Sequence, residues 1–125
     1  MFKDRILMFL SIFSSLNFLG CAQQDKDSIM TVQELKKLMK DDSTLVILDV
    51  RTLAELIGPL GKIDNIINIP IEELESRVGE LSKFKDKEIA VICRSGNRSN
   101  TGMRILRENG FNAKNVLGGM IEYRK

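Results

Sequence analysis

The chain has 125 residues, 43% apolar and 29% charged, which allows one small-core domain of ordinary globular composition. Its 19 basic and 17 acidic residues nearly cancel, with no polybasic run and one tyrosine, so a nucleic-acid partner finds no electrostatic footprint. With no histidine and two cysteines, neither a His/Cys zinc cluster nor a histidine-based relay can be built within one chain. No metal and no cofactor are expected, and any chemistry must proceed without imidazole.

In chain order, Lys3 and Arg5 precede an apolar, serine-containing stretch over 6–20, which reads as an export signal. A membrane-spanning helix needs ~20 mostly apolar residues, and this stretch is shorter and carries Asn17. It ends Phe18, Leu19, Gly20, Cys21, which resembles a bacterial lipoprotein signal, in which the cysteine is lipidated and becomes the mature first residue. That resemblance implies a signal peptide over 1–20, lipidation of Cys21, a polar tether over 21–28 and a domain over 29–125. It also implies attachment to the periplasmic face of a bacterial membrane. Ala22, where inner-membrane retention favours Asp, points toward the outer membrane. Acylation of Cys21 would leave Cys93 the sole free thiol, so export need not imply a disulfide.

Thr31 with Glu34 three residues on is a capping signature. Val32, Leu35, Leu38 and Met39 follow at helical spacing and predict a first helix to about Lys40. Residues 44–50 form an apolar run without alternation, as in a strand buried on both faces of a parallel sheet, interrupted near its end by Asp49. Residues 66–69, before Pro70, predict a second strand. Ile71, Leu74, Val78 and Leu81 make the next helical stripe, with Glu72, Glu73 and Glu75 at its positive end. Residues 88–92 predict a third strand, 97–109 a third helix closed by Gly110, and 115–117 a last strand. Alternation of this kind means α/β architecture: a mainly parallel sheet of about five short strands with helices on both faces. Ligands then sit at the carboxyl ends of the strands, and Cys93 lies at one of them.

Cys93, Arg94, Ser95, Gly96, Asn97, Arg98 and Ser99 occupy the expected strand-to-helix turn. A cysteine is nucleophilic as thiolate, and its usual pKa of ~8.5 falls at a helix N-terminus or beside cations. Here successive backbone N–H groups can converge into an anion nest, Gly96 permits the tight curl, and Arg94 and Arg98 supply planar charged forks. A thiolate in that cradle needs no histidine base. The alternative is a buried apolar cysteine beside two solvated arginines.

These residues resemble the rhodanese-like sulfurtransferases, in several segments. Asp49, Val50 and Arg51 followed by Glu55 resemble the family's DVR segment and its glutamate. Residues 61–70 resemble its G-H-I-P-G-A-x-N-I-P segment, 93–99 its active-site loop, and Gly110-Phe111 and Gly118-Gly119-Met120 two later landmarks. Lys62, Asp64, Asn65 and Ile66 depart from that second segment, and Tyr123 stands where Trp is usual. Asn tolerates left-handed backbone and Tyr can fill an aromatic slot, so the rhodanese-like three-layer fold is expected to survive.

The resemblance implies a thiosulfate sulfurtransferase. Cys93 would take a sulfane sulfur from a small donor such as thiosulfate, hold it as a persulfide, and pass it to cyanide, a thiol or a protein acceptor. Arg94, Ser95, Gly96, Asn97, Arg98 and Ser99 would bind the anionic substrate, with Ser95 and Ser99 as hydroxyl donors. Asp49 and Arg51 would brace the loop by an ion pair or merely cap and pack the turn. The chain is expected to act as a monomer. Two rivals remain: a rhodanese module that carries sulfur or binds a partner without turnover, and a cysteine-dependent phosphatase or arsenate reductase. The latter place more residues between cysteine and arginine than the four between Cys93 and Arg98, and the shorter ring suits a sulfur atom.

Overall fold

The computed structural model describes residues 26–125. The expected signal segment, Cys21 and the first residues of the expected tether lie outside the described residues. Residues Lys26–Ser28, which fall in the expected tether, form a single 3-10 turn in which Ser28 is buried.

Five strands, β1 (Ile29–Met30), β2 (Val46–Asp49), β3 (Ile67–Asn68), β4 (Glu88–Ile92) and β5 (Asn112–Val116), form one sheet in the order β1-β5-β4-β2-β3. Every pairing is parallel. Four helices connect them, α1 (Val32–Asp41), α2 (Leu53–Leu56), α3 (Ile71–Arg77) and α4 (Asn97–Glu108), and α5 (Gly119–Tyr123) follows β5. Successive side chains of a strand point to opposite faces. In β4, Ile89 and Val91 therefore join Leu74, Met103 and Leu106 of α3 and α4 in one core, while Ala90 and Ile92 join Val32, Leu35 and Met120 of α1 and α5 in the other. The unbroken apolar run of the central strand is the sequence image of this two-sided burial. Each such side chain contributes roughly 1.5–3 kcal/mol on leaving water.

Local chemistry sets the boundaries. Thr31 caps α1 by accepting the Glu34 N–H at 3.1 Å, and Thr52 with Glu55 forms a full capping box that starts α2. Asn65 adopts a left-handed φ of 62°, the conformation expected from its place in the glycine-bearing segment, and Tyr123 packs against the second core.

Several expected elements differ. The stripe from Ile71 to Leu81 is a helix only to Arg77; Val78–Phe84 tightens into 3-10 turns. Gly79, unfavourable within a helix, sits in that stretch, yet Leu81 still reaches the core at 1% exposure. Strand β2 starts at Val46 rather than Thr44, and β3 has two residues rather than four. The last strand runs Asn112–Val116 instead of 115–117. Its polar residues hid it, and one of them, Lys114, is satisfied by Glu88 of β4 at 2.8 Å. Strand β1 and helices α2 and α5 are too short to leave a periodic pattern.

Candidate active site

Because the strands are parallel, the carboxyl ends of β1, β2, β4 and β5 share one edge, with β4 between β2 and β5. Cys93 follows β4 there, and the chain turns through 94–96 into α4. Gly96 makes the turn at φ 108°, a left-handed value that a side chain would strain. The other wall of the turn is α5, whose Met120 and Ile121 N–H groups donate to the carbonyls of Cys93 (2.8 Å) and Arg94 (3.0 Å). Gly119 makes this approach possible, since a Cβ there would sit 2.5 Å from the Cys93 carbonyl oxygen.

The Cys93 thiol is 1% exposed. Its Sγ accepts the Gly96 N–H at 3.1 Å and lies 3.2 Å from Ser99 Oγ, and Ser99 in turn donates to Asn115 Oδ1 at 2.6 Å. Burial pushes the thiol up. The hydrogen bond shared with the Ser99 hydroxyl and those from the Ser99, Gly96 and Ser95 backbone N–H groups outweigh it, so Cys93 titrates below the ordinary thiol value. Of the expected backbone donors, the Gly96 N–H reaches the sulfur at hydrogen-bond distance. Of the two expected hydroxyls, Ser99 reaches the sulfur, whereas Ser95 is exposed and contributes its backbone N–H.

The two arginines part company. Arg98 is not a free fork in the loop: its Nη1 and Nη2 donate to Glu55 Oε1 and Oε2 at 2.6 and 2.8 Å. The Arg98 hydrogen bonds hold the Glu55 carboxyl at about 2. Glu55, a motif residue without an expected role, thus ties α2 to the start of α4, while the Arg98 charge still acts on Cys93. Arg94 is exposed and borders a groove of about 420 Å³ lined also by Arg51, Ala54, Glu55, Pro59 and Leu60. Leu53 and Ile57, 73% and 90% exposed, lie on the same stretch of chain. Asn97 is exposed and lines a shallower depression of about 250 Å³ with Ser95, Gly96 and Asn115.

Asp49 and Arg51 form a fully buried ion pair, with Arg51 Nη2 2.8 Å from Asp49 Oδ2. Arg51 also donates to the carbonyls of Gly61 (2.8 Å) and Glu55 (3.3 Å), and Asn68 Nδ2 donates to the carbonyls of Asp49 and Arg51. The pair therefore braces the α2 segment, and reaches the cysteine loop by way of Glu55 and Arg98 rather than by direct contact.

Sequence reasoning missed Asn115, Glu55 and Gly119 as parts of the site. Asn115 stands 16 positions from Ser99 on a strand without an apolar signature, and Glu55 stands 43 from Arg98. Gly119 carried a signal, since two adjacent glycines follow the last strand.

Comparison with known proteins agrees with this architecture. A protein of Bacillus subtilis (strain 168), named as a proposed sulfur carrier, is 34% identical over 95 residues, 75% of this chain and 49% of its own. An adenylyltransferase and sulfurtransferase of Zea mays is 35% identical over 97 residues, 73% of this chain and 20% of its own. The chain thus spans about half of the first relative and a fifth of the second. The crystal structure of a rhodanese-related protein from Thermoplasma volcanium superposes with TM-score 0.68 at 38% identity, covering 77% of this chain and 89% of that one. The Rhodanese-like domain family matches residues 31–125, and the chain belongs to that family.

Proposed function

We propose that this protein is a sulfurtransferase that moves a sulfane sulfur through a persulfide on Cys93. The observation that carries the reading is the Cys93 sulfur itself, buried at a strand end and held by the Gly96 N–H and Ser99 Oγ. Such a thiol is activated by hydrogen bonds in place of a base. The relatives named as sulfur carrier and sulfurtransferase support the same chemistry.

With thiosulfate as donor, the Cys93 thiolate attacks the outer sulfur. A new S–S bond forms, the donor's S–S bond breaks, and sulfite leaves with the electron pair. The terminal persulfide anion is then stabilised by the donors of the loop, each well-aimed donor contributing ~3 kcal/mol. A nucleophile, cyanide in an assay or a thiol as natural acceptor, attacks the outer sulfur, and Cys93 departs as thiolate. Arg94, which has no carboxylate partner among the described residues, receives the anionic end of the donor.

A carrier that delivers its sulfur to a protein is favoured by the groove beside Arg94 and the exposed Leu53 and Ile57. The N-terminal reading, Cys21 lipidated at the periplasmic face of a membrane, belongs to the same proposal and would restrict acceptors to that compartment. Intact-mass spectrometry after thiosulfate exposure tests the chemistry. The native chain should gain about 32 Da, one sulfur, and Cys93→Ala should gain none. No gain on the native chain, or the same gain on the variant, refutes the carrier role. Cyanide-dependent thiocyanate release then separates turnover from carriage.

A further inference from the structure

The Ser99 hydroxyl has one proton to donate, and two groups compete for it. In the structure it goes to Asn115 Oδ1 at 2.6 Å, while Cys93 Sγ lies 3.2 Å from the same oxygen. With that proton spent on Asn115, the sulfur contact is a hydrogen bond only if Cys93 supplies its own S–H to Ser99 Oγ. This arrangement of donors and acceptors suits a neutral thiol.

A thiolate has no proton to give. It needs the Ser99 O–H turned toward it, and the Asn115 carbonyl oxygen would then face a bare hydroxyl oxygen. An amide has a remedy that few side chains share. A half turn exchanges Oδ1 for Nδ2, so the group that accepted from Ser99 now donates to it. The chain then runs from Asn115 Nδ2–H to Ser99 Oγ, and from Ser99 O–H to the sulfur anion, each bond polarising the next. The backbone of Asn115 is fixed in β5, in register with Ile29 of β1 and Val91 of β4. Asn115 lines the shallow depression beside the loop, and a half turn of a planar amide exchanges its two terminal atoms within nearly the same volume.

We infer that Asn115 is a positioning residue that acts through Ser99, its amide reversing as Cys93 passes between thiol and anion so that Ser99 is satisfied in both states. The inference rests on the sulfur-transfer reading for its role in turnover, but its test needs only the free thiol.

Other charged groups stand on the elements packed around the Cys93 loop. They are Arg94 on its own loop, Arg98 of α4 with Glu55 of α2 and Glu72 of α3 acting on it, and the Asp49–Arg51 pair at the end of β2. Lys114 of β5 is held by Glu88, and Glu122 of α5 by Lys125. The variants below leave all of them in place.

The experiment follows Cys93 ionisation by the pH dependence of alkylation with iodoacetamide in the native chain, Asn115→Leu and Asn115→Asp. Leucine neither accepts nor donates. Because bonds to an anion are about twice as strong as neutral ones, its loss weakens the thiolate more than the thiol, and the midpoint should rise. Aspartate only accepts and adds a negative charge, so the midpoint should rise further, with alkylation at neutral pH slowed about tenfold or more. In a Ser99→Ala background, Asn115→Leu should add nothing, because the link to sulfur is gone. An unchanged or lowered midpoint in Asn115→Leu overturns the inference, as does an equal shift in the Ser99→Ala background. If the variants do not fold, the native chain still decides: its Asn115 side-chain amide resonances should titrate with the alkylation midpoint, and resonances constant across that midpoint overturn the inference. Persulfide mass gain is measured separately. A chain that forms no persulfide yet shows the coupled titration loses the transfer reading alone, and one that forms it with uncoupled resonances loses the Asn115 role alone.

Discussion

Replacing Gly119 by alanine tests whether α5 sets the position of the nucleophile. The new Cβ would lie 2.5 Å from the Cys93 carbonyl oxygen and 2.6 Å from the Arg94 carbonyl carbon and oxygen. These are backbone atoms and cannot swing aside. Restoring ordinary contact requires the loop and helix to separate by about 0.9 Å, which stretches the Met120 and Ile121 hydrogen bonds, now 2.8 and 3.0 Å, past useful length. Each is worth about 1 kcal/mol net, and the left-handed φ of 56° costs an alanine about 1 kcal/mol more. The expected loss is about 3 kcal/mol, a fall in melting temperature of about 15 °C for a domain of this size. The same displacement moves Sγ relative to Gly96 and Ser99, and a shift near 1 Å can cost about 100-fold in rate. The assay is thermal unfolding together with the rate of persulfide formation. Gly118→Ala is the control, since it shares the left-handed strain but meets the Glu122 side chain rather than the loop backbone. It should lose stability with a much smaller loss of rate. Persulfide formation by Gly119→Ala within twofold of the native rate would refute the reasoning.

Three further outcomes are expected. Arg51→Leu should destabilise the fold by about 3–5 kcal/mol in urea titration, because Asp49 is left charged, unpaired and fully buried; a loss below about 1 kcal/mol contradicts the brace. Glu55 has a carboxyl lowered from 4.5 to about 2, so its contribution is present above its ordinary value and lost as pH falls toward the folded value. With solvent screening that contribution is about 1 kcal/mol, and the stability gap between native and Glu55→Gln should close in that acidic window. A gap constant with pH would show that the ion pair contributes nothing. For the proposed lipid anchor, Cys21→Ser should move the protein from the detergent phase into the soluble fraction, and unchanged partitioning argues against acylation.

Much of the architecture was legible because burial leaves a pattern. The run at 88–92, short and apolar after Glu88, reads as a strand covered on both faces, and β4 has those bounds. Thr31 and Glu34 announced the start of α1. The loop was legible because chemistry left a residue signature, a cysteine with a glycine where a tight curl into a helix needs one. Strand β5 was half hidden because its partners, rather than its own polarity, make it a strand. The pairing of Arg98 was not legible because sequence shows a charge but not its nearest counter-charge, and Glu55 enters from another crossover.

The sequence by itself therefore determined the α/β alternation, the parallel sheet covered on both faces, and a cysteine at a strand end in a chain without imidazole. These follow from periodicity, capping and composition, which act over a few residues. Only the tertiary structure decided that Ser99 rather than Ser95 reaches the sulfur, that Arg98 is bound to Glu55, that Asp49 and Arg51 brace α2, and that Asn115 stands behind Ser99. Hydrogen bonds and ion pairs act over about 3 Å of space regardless of separation along the chain, so those assignments emerge when the folded sheet brings distant residues to one edge.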